Sequence, residues 1–235
     1  MVGTAMLVFI IGMNSGPAVA GDATVIKDVG AIAIGFGLVV LVFLGGHISG
    51  AHYNPAVTIG ILLTMRSKIS VVKSVGYVLT QVLGSMLGAL LVYACTGRTF
   101  GPAIGSDATI GTALTAEIIS TFMLVTTVLN VATTEAQEDN SFFGLAIGFT
   151  VASLAISVGS ISGGAFNPAV GTGPHFIAAI INKTTPYYAM WIYWVGPLIG
   201  ATIGALFFRL TNVQEYKSLA AYEEMAAASA NLVTH

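Results

Sequence analysis

Only 8 per cent of the 235 residues are charged, 8 Lys+Arg against 10 Asp+Glu, while 55 per cent are hydrophobic and the mean hydropathy is +0.88. An ordinary soluble domain carries about 25 per cent charged residues, so the chain has too little polar surface to wrap a soluble globule, and a disordered chain is excluded with it. A formal charge of −2 offers no basic face for nucleic acid, and the single cysteine, Cys95, rules out an internal disulfide.

Six runs, 1–21, 29–65, 74–97, 118–134, 140–182 and 184–208, contain no Asp, Glu, Lys or Arg. A helix crossing a bilayer needs about 20 apolar residues. The first run has no basic stretch before it and five more apolar runs after it, which excludes a signal peptide. It predicts a first helix reaching Gly16. Run 29–65 is roughly twice too long for one span and has Gly, Ser, Asn and Pro in its middle, so it predicts a second span followed by a half-span. Run 74–97 fits the third span, and 118–134 the fourth if it extends back past Glu117 to about Gly111. Run 140–182 again predicts a span plus a half-span, and 184–208 the last span. The fold class that follows is an all-α membrane protein with six transmembrane helices and two re-entrant half-helices.

The two halves repeat one another. Residues 46–57, GHISGAHYNPAV, match residues 159–170, GSISGGAFNPAV, at eight of twelve positions, and the same offset of 113 superposes Ala33–Phe36 on Ala146–Phe149. The organisation expected is a first repeat over 1–108, a second over 109–210 and a cytoplasmic tail over 211–235. Three spans per half is an odd number, so the second half enters the membrane from the opposite side. In such an inverted repeat a functional site is expected at the midplane. Alternation places Arg66, Lys68, Lys73, Arg209 and Lys217 on one side and Lys27, Arg98 and Lys183 on the other, with Glu135, Glu138 and Asp139 sharing the first side. The basic excess makes that side cytoplasmic, with both termini inside.

Asn54-Pro55-Ala56 and Asn167-Pro168-Ala169 read as helix starts. Asn is a favoured N-cap, and proline, with no N–H and a fixed φ, suits the first helical position. One copy is as readily a turn, but two copies in matching context inside over-long apolar runs are helix starts in the membrane. From Ala56 to Met65 the chain makes about 15 Å of helix, half a hydrocarbon core; the second half-helix runs from Ala169 towards Asn182. The two N-termini meet near the bilayer centre, their positive dipole ends facing. The irregular backbone before each start, Gly50–Tyr53 and Gly163–Phe166, is tolerable at that depth only where it lines a wet cavity. Gly84-x-x-x-Gly88 and Gly196-x-x-x-Gly200-x-x-x-Gly204 read as helix-crossing contacts.

With these paired motifs the chain resembles the aquaporin, or major intrinsic protein, family over nearly its whole length. The resemblance implies a passive water channel, one pore per subunit, and a homotetramer in lipid. It further implies that Asn54 and Asn167 donate hydrogen bonds to a passing water, and that the carbonyls of Gly50, Ala51, His52 and Tyr53 and of Gly163, Gly164, Ala165 and Phe166 form an acceptor ladder. Glu117 becomes a structural acid bonded to a pore loop, and His52 a loop-packing residue. No catalytic constellation, cofactor motif or metal-ligand spacing occurs in the sequence.

Two departures from the family pattern stand out. Where water-selective members place an arginine in the outer filter, this chain has Val170, and the other filter positions fall on Ile34, Ala155 and Gly164: a wide, apolar, uncharged ring. The second is at the start of the chain. Glu117-x-x-x-Thr121 has a counterpart ending at Thr4, so the matching glutamate would lie just upstream of Met1, and the first span reads as truncated. Gly171, where glycerol-favouring members usually carry aspartate, and Tyr193-Trp194 before Val195-Gly196-Pro197 resemble the water-channel subgroup, whereas the filter points to glycerol, urea or ammonia. The expectation is a water channel that also passes small neutral solutes. A neutral-solute facilitator with water secondary, a secondary carrier and a junctional membrane protein remain open alternatives. Tyr216–Leu219 and Tyr222–Met225 resemble sorting signals and Asn182-Lys183-Thr184 a glycosylation sequon, all weak patterns.

Overall fold

A computed structural model describes residues 1–15 and 23–217, with only the backbone over 23–28. The tail beyond Lys217, with the Tyr222–Met225 pattern, and the side chain of Lys27 lie outside the described residues. Among the described residues the main helices run in order: α1 Val2–Asn14, α2 Ala23–Ser49, α3 Pro55–Leu63, α4 Val71–Thr96, α5 Ile110–Ala132, α6 Phe143–Ser162, α7 Pro168–Asn182 and α8 Ile192–Thr211, with a 3₁₀ turn at Glu135–Gln137.

Five of these helices contain a stretch long and apolar enough to cross a membrane, Val29–Ser49, Val71–Thr96, Ile110–Ala132, Phe143–Ser162 and Ile192–Thr211, while the apolar α1 has 13 residues. The first helix therefore stops at Asn14, short of the expected Gly16. The Asn14 amide and Ser15 hydroxyl turn back onto the carbonyls of Ile10 and Ile11, at 2.9 and 2.7 Å, and occupy the end of the hydrogen-bond ladder. The half-helices α3 and α7 have 9 and 15 residues.

Local chemistry sets the other boundaries. Ser70 caps α4 through the Lys73 N–H, and α4 ends at Gly97, whose φ of 67° is the left-handed conformation that glycine adopts without a Cβ penalty. A reciprocal Thr109–Thr112 capping box opens α5. Packing pairs come in twos: α1 with α4 and α5 with α8, α4 with α7 and α8 with α3, and α2 with α6 between the halves. At the α2–α6 crossing the backbones touch. A Cβ on Gly35 would stand 2.7 Å from the Gly148 carbonyl, and one on Gly148 would stand 2.5 Å from that of Gly35. Lipid gives no hydrophobic drive for helix pairing, so such close approach supplies the dispersion contact that holds the halves together.

One end of the bundle is fastened by a buried ion pair. Arg66, just past α3, meets Glu215 at 2.6 Å, the two side chains being 2 and 8 per cent exposed. The guanidinium also donates to the Thr133 carbonyl at 2.9 Å and lies 4.2 Å over the Phe208 ring. Glu215 accepts from the Glu135 N–H at 2.7 Å, and the Tyr216 hydroxyl donates to the Thr64 carbonyl at 2.8 Å. The segment after α8 thus joins the end of α3 to the α5–α6 loop. Removing one member of a buried pair strands the other charge, typically at about 3–5 kcal/mol. Unfolding of R66M, E215Q and R66M/E215Q in detergent should show a large loss in each single variant, with the double losing clearly less than the two together; additive losses would mean that the pair does not act as one unit.

Candidate pore

The end of α2 and the start of α3, and likewise α6 and α7, are joined by short segments of the same unusual shape. In the first, Gly50, Ala51 and Tyr53 have φ of 71°, 48° and 48°; in the second, Gly163, Gly164 and Phe166 have 85°, 64° and 49°. Left-handed backbone at Ala51, Tyr53 and Phe166 costs energy that only surrounding contacts can hold.

Those contacts converge on the two asparagines. Each caps its own half-helix: Asn54 Oδ1 accepts from the Ala56 N–H at 2.8 Å, and Asn167 Oδ1 from the Ala169 N–H at 3.0 Å. Each also reaches into the opposite half. Asn54 Nδ2 donates to the Phe166 carbonyl at 2.8 Å, and Asn167 Nδ2 to the Tyr53 carbonyl at 3.1 Å. An amide nitrogen carries two hydrogens, so one N–H of each asparagine remains beyond these bonds. Within the ladder residues, the Tyr53 and Phe166 carbonyls are thus already engaged by side chains.

The second segment is anchored by Glu117, fully buried on α5. Its Oε1 accepts from the Ser162 hydroxyl at 2.7 Å and the Ala165 N–H at 3.0 Å, and its Oε2 from the Phe166 N–H at 2.7 Å. A carboxylate kept from water is tolerable only with its lone pairs so matched. The first segment is held by other means. The Tyr53 hydroxyl donates to the Leu41 carbonyl at 2.9 Å, and His52 Nδ1 lies 3.1 Å from Thr58 Oγ1 with its ring 5.0 Å from that of Tyr77. Gln81 Nε2 donates to the same Thr58 oxygen at 3.0 Å. Thr58 and Gln81 were not singled out from the sequence; the helical spacing of Thr58 four residues after Asn54, whose carbonyl it bonds at 3.1 Å, was the available signal.

Both segments, both asparagines, Ile34, Ala155, Gly164 and Val170 lie on the wall of one cavity of about 1130 Å³. It extends from Asn14 and Ser15 at the end of α1, past the paired asparagines, to Lys68 and the Thr133–Asn140 loop. Ile34 comes from α2, Ala155 from α6 and Val170 from the first turn of α7, so three helices and one loop supply these four residues to the wall. Among the described residues, the charged side chains on the wall are Lys68, Glu135, Glu138 and Asp139, all at the far mouth. Cys95 is exposed on α4, away from these residues. Among the described residues, no group of three His, Cys, Asp or Glu side chains could hold a metal.

Residues 1–208 match the family described as Major intrinsic protein. Aquaporin TIP1-2 of Musa acuminata is 39 per cent identical over 181 residues, covering 76 per cent of this chain and 69 per cent of its own length. Aquaporin AqpM of Methanothermobacter marburgensis is 34 per cent identical over 185 residues, covering 76 and 74 per cent. Among solved structures, the aquaglyceroporin from Plasmodium falciparum superposes with a TM-score of 0.75 at 22 per cent identity, over 88 per cent of this chain and 91 per cent of that one.

The Glu117 anchor makes its own prediction. In E117Q one acceptor oxygen is replaced by an NH₂ that faces an N–H or hydroxyl donor, so a charge-assisted bond becomes a clash. A loss of about 2–4 kcal/mol is expected in detergent unfolding, and stability equal to the parent would show that the loop does not need the carboxylate.

Proposed function

The chain belongs to the major intrinsic protein family, and from that premise we propose that its cavity is a passive conduit for water and for neutral solutes up to about glycerol size, closed to protons and ions. It is an integral, multi-pass membrane channel of all-helical fold and not an enzyme. The observation that carries the reading is the cross-tie of Asn54 and Asn167 on the wall of a continuous cavity.

The remaining N–H of each asparagine supplies two donors to one water oxygen at the junction. A water held so can only donate outward, so its neighbours on the two sides point in opposite directions and the hydrogen-bonded wire needed for proton hopping is interrupted. The facing positive ends of α3 and α7 oppose cations at the same place. The carbonyls of Gly50–His52 and Gly163–Ala165, with the remaining lone pairs of Tyr53 and Phe166, then serve as the acceptor ladder on either side. Ions face dehydration in an apolar tube, where moving a charge inward costs from about 3 to above 10 kcal/mol.

Ile34, Ala155, Gly164 and Val170 form the outer constriction. None carries a charge, and this supports the solute range as well as the second reading, a glycerol, urea or ammonia facilitator with water secondary. A homotetramer in lipid, with both termini and the Arg66 end cytoplasmic by the basic excess of its loops, completes the proposal.

Stopped-flow swelling of proteoliposomes with water, glycerol and urea tests it. V170R should cut glycerol and urea flux sharply and leave water flux within about a few-fold, since the guanidinium fills the ring and takes carbonyl acceptors from the Gly163–Phe166 loop. Unchanged glycerol flux in V170R would take Val170 off the constriction, and a parent channel closed to glycerol would end the wide-filter reading. Mercuric chloride provides a further check. With the single thiol exposed on α4, water flux should survive it; block that vanishes in C95S would put Cys95 beside the conduction path.

A further inference from the structure

His175 sits one and a half turns beyond Val170 on α7, is 8 per cent exposed, and takes no part in the conduit described above. Two tyrosine rings lie nearly parallel to its own, that of Tyr187 at 4.9 Å and 19° and that of Tyr193 at 6.2 Å and 20°. Nε2 lies 2.8 Å from the Pro102 carbonyl. A carbonyl can only accept, so the proton is on Nε2 and the bond is a donation from His175 to the loop between α4 and α5.

That loop is the backing of the outer constriction. Its Gly101 lies close against the imidazole, where a Cβ would come to 2.7 Å from Nδ1. The next residues press on the second pore segment. A Cβ on Gly163 would stand 2.5 Å from the Ala103 nitrogen and 2.9 Å from its oxygen, and the Gly105 N–H donates to the Ile161 carbonyl at 3.0 Å. Tyr187 holds the same stretch by accepting from the Ile104 N–H at 3.2 Å. Phe100 and Ile104 pack against the apolar cluster that contains Val170. The loop therefore stands directly behind Gly163, which has no side chain to hold its own position, and beside the cluster of Val170, which has no polar group with which to tie the loop down.

We propose that His175 is the positioning residue of the outer constriction: its donation to Pro102 holds residues 101–105 against Gly163 and beside Val170, and so sets the width that separates water from glycerol-sized neutral solutes. This rests on reading the cavity as the conduit. Losing the bond lets the loop withdraw, and Gly163 gains room.

Two substitutions separate the bond from bulk. H175Q places an amide N–H at the reach of Nε2, and H175F keeps the aromatic stack without a donor. In proteoliposomes the glycerol-to-water permeability ratio should rise about three- to tenfold in H175F, the scale of one lost hydrogen bond, and stay within about twofold of the parent in H175Q. Hydrogen–deuterium exchange over residues 100–106 should speed up in H175F and not in H175Q, a readout independent of flux. An unchanged ratio in H175F overturns the proposal, as does an equal rise in H175Q and H175F while both keep the parent's exchange rates. Should the parent prove closed to glycerol, the wide-filter reading falls on its own. Glycerol flux appearing in H175F would then support the role of His175, and continued closure would overturn it.

Discussion

Everything in this molecule hangs on the two hydrogen bonds by which each asparagine side chain reaches the other half, Asn54 to the Phe166 carbonyl and Asn167 to that of Tyr53. Backbone that leaves its helix in an apolar medium must find partners inside the protein or line a cavity. Two chain segments break helix at the centre of this bundle, and each supplies part of what the other lacks. Neither half could present its loop alone, because the donor that fixes its last carbonyl belongs to its repeat. The cross-tie also makes the left-handed conformations of Tyr53 and Phe166 sustainable, since both carbonyls are caught where those conformations aim them.

The ties around the two segments differ among the described residues. The second pore segment hangs from a carboxylate, Glu117, whereas the first is pinned by the hydroxyl of Tyr53 and by the Thr58–His52–Gln81 contacts. A buried carboxylate gives strong directional bonds and carries a large desolvation cost, so it fixes geometry more surely than it adds stability. The tyrosine tie is weaker and leaves no charge behind. Gly164 and Val170, which the proposed function places at the constriction, lie on the side held by the carboxylate.

Much of this was legible in the amino-acid sequence because it is periodic or repeated. Charge-free runs found the helices, and the over-long ones betrayed the half-helices. Asn-Pro at matched positions located both starts to the residue, α3 and α7 opening at Pro55 and Pro168. Gly84, Gly88 and Gly200 fall at helix crossings, where α4 meets α1 and α8 meets α5. Hidden from the sequence were the ties between residues with no shared period. Arg66 meets Glu215 across 149 positions and His175 meets Pro102 across 73, pairings that exist only once the helices have docked. Each of these residues looked ordinary in one dimension, a loop charge or a lone histidine on an apolar helix. The helix α1 ends two residues before the charge-free run predicts for a local reason, since Asn14 and Ser15 belong to the run by charge and end the helix by side chain.

A constriction without fixed charge shifts the burden of ion rejection elsewhere along the proposed path. At one mouth Glu135, Glu138 and Asp139 outnumber Lys68, so the local field there repels anions and draws cations. At the centre the N-terminal ends of α3 and α7 present the opposite sign, in a region where no bulk water screens them. A cation drawn in by the acidic mouth thus meets positive dipoles at the centre, and an anion that the dipoles would welcome meets the carboxylates on its way in or on its way out, according to the side from which it enters. A neutral solute feels neither barrier and is limited only by width, and width is what the Gly163–Gly164 backbone and Val170 leave open. On the function proposed above, charge selectivity and size selectivity would reside in different places, and the outer ring could be apolar without making the channel a leak for ions.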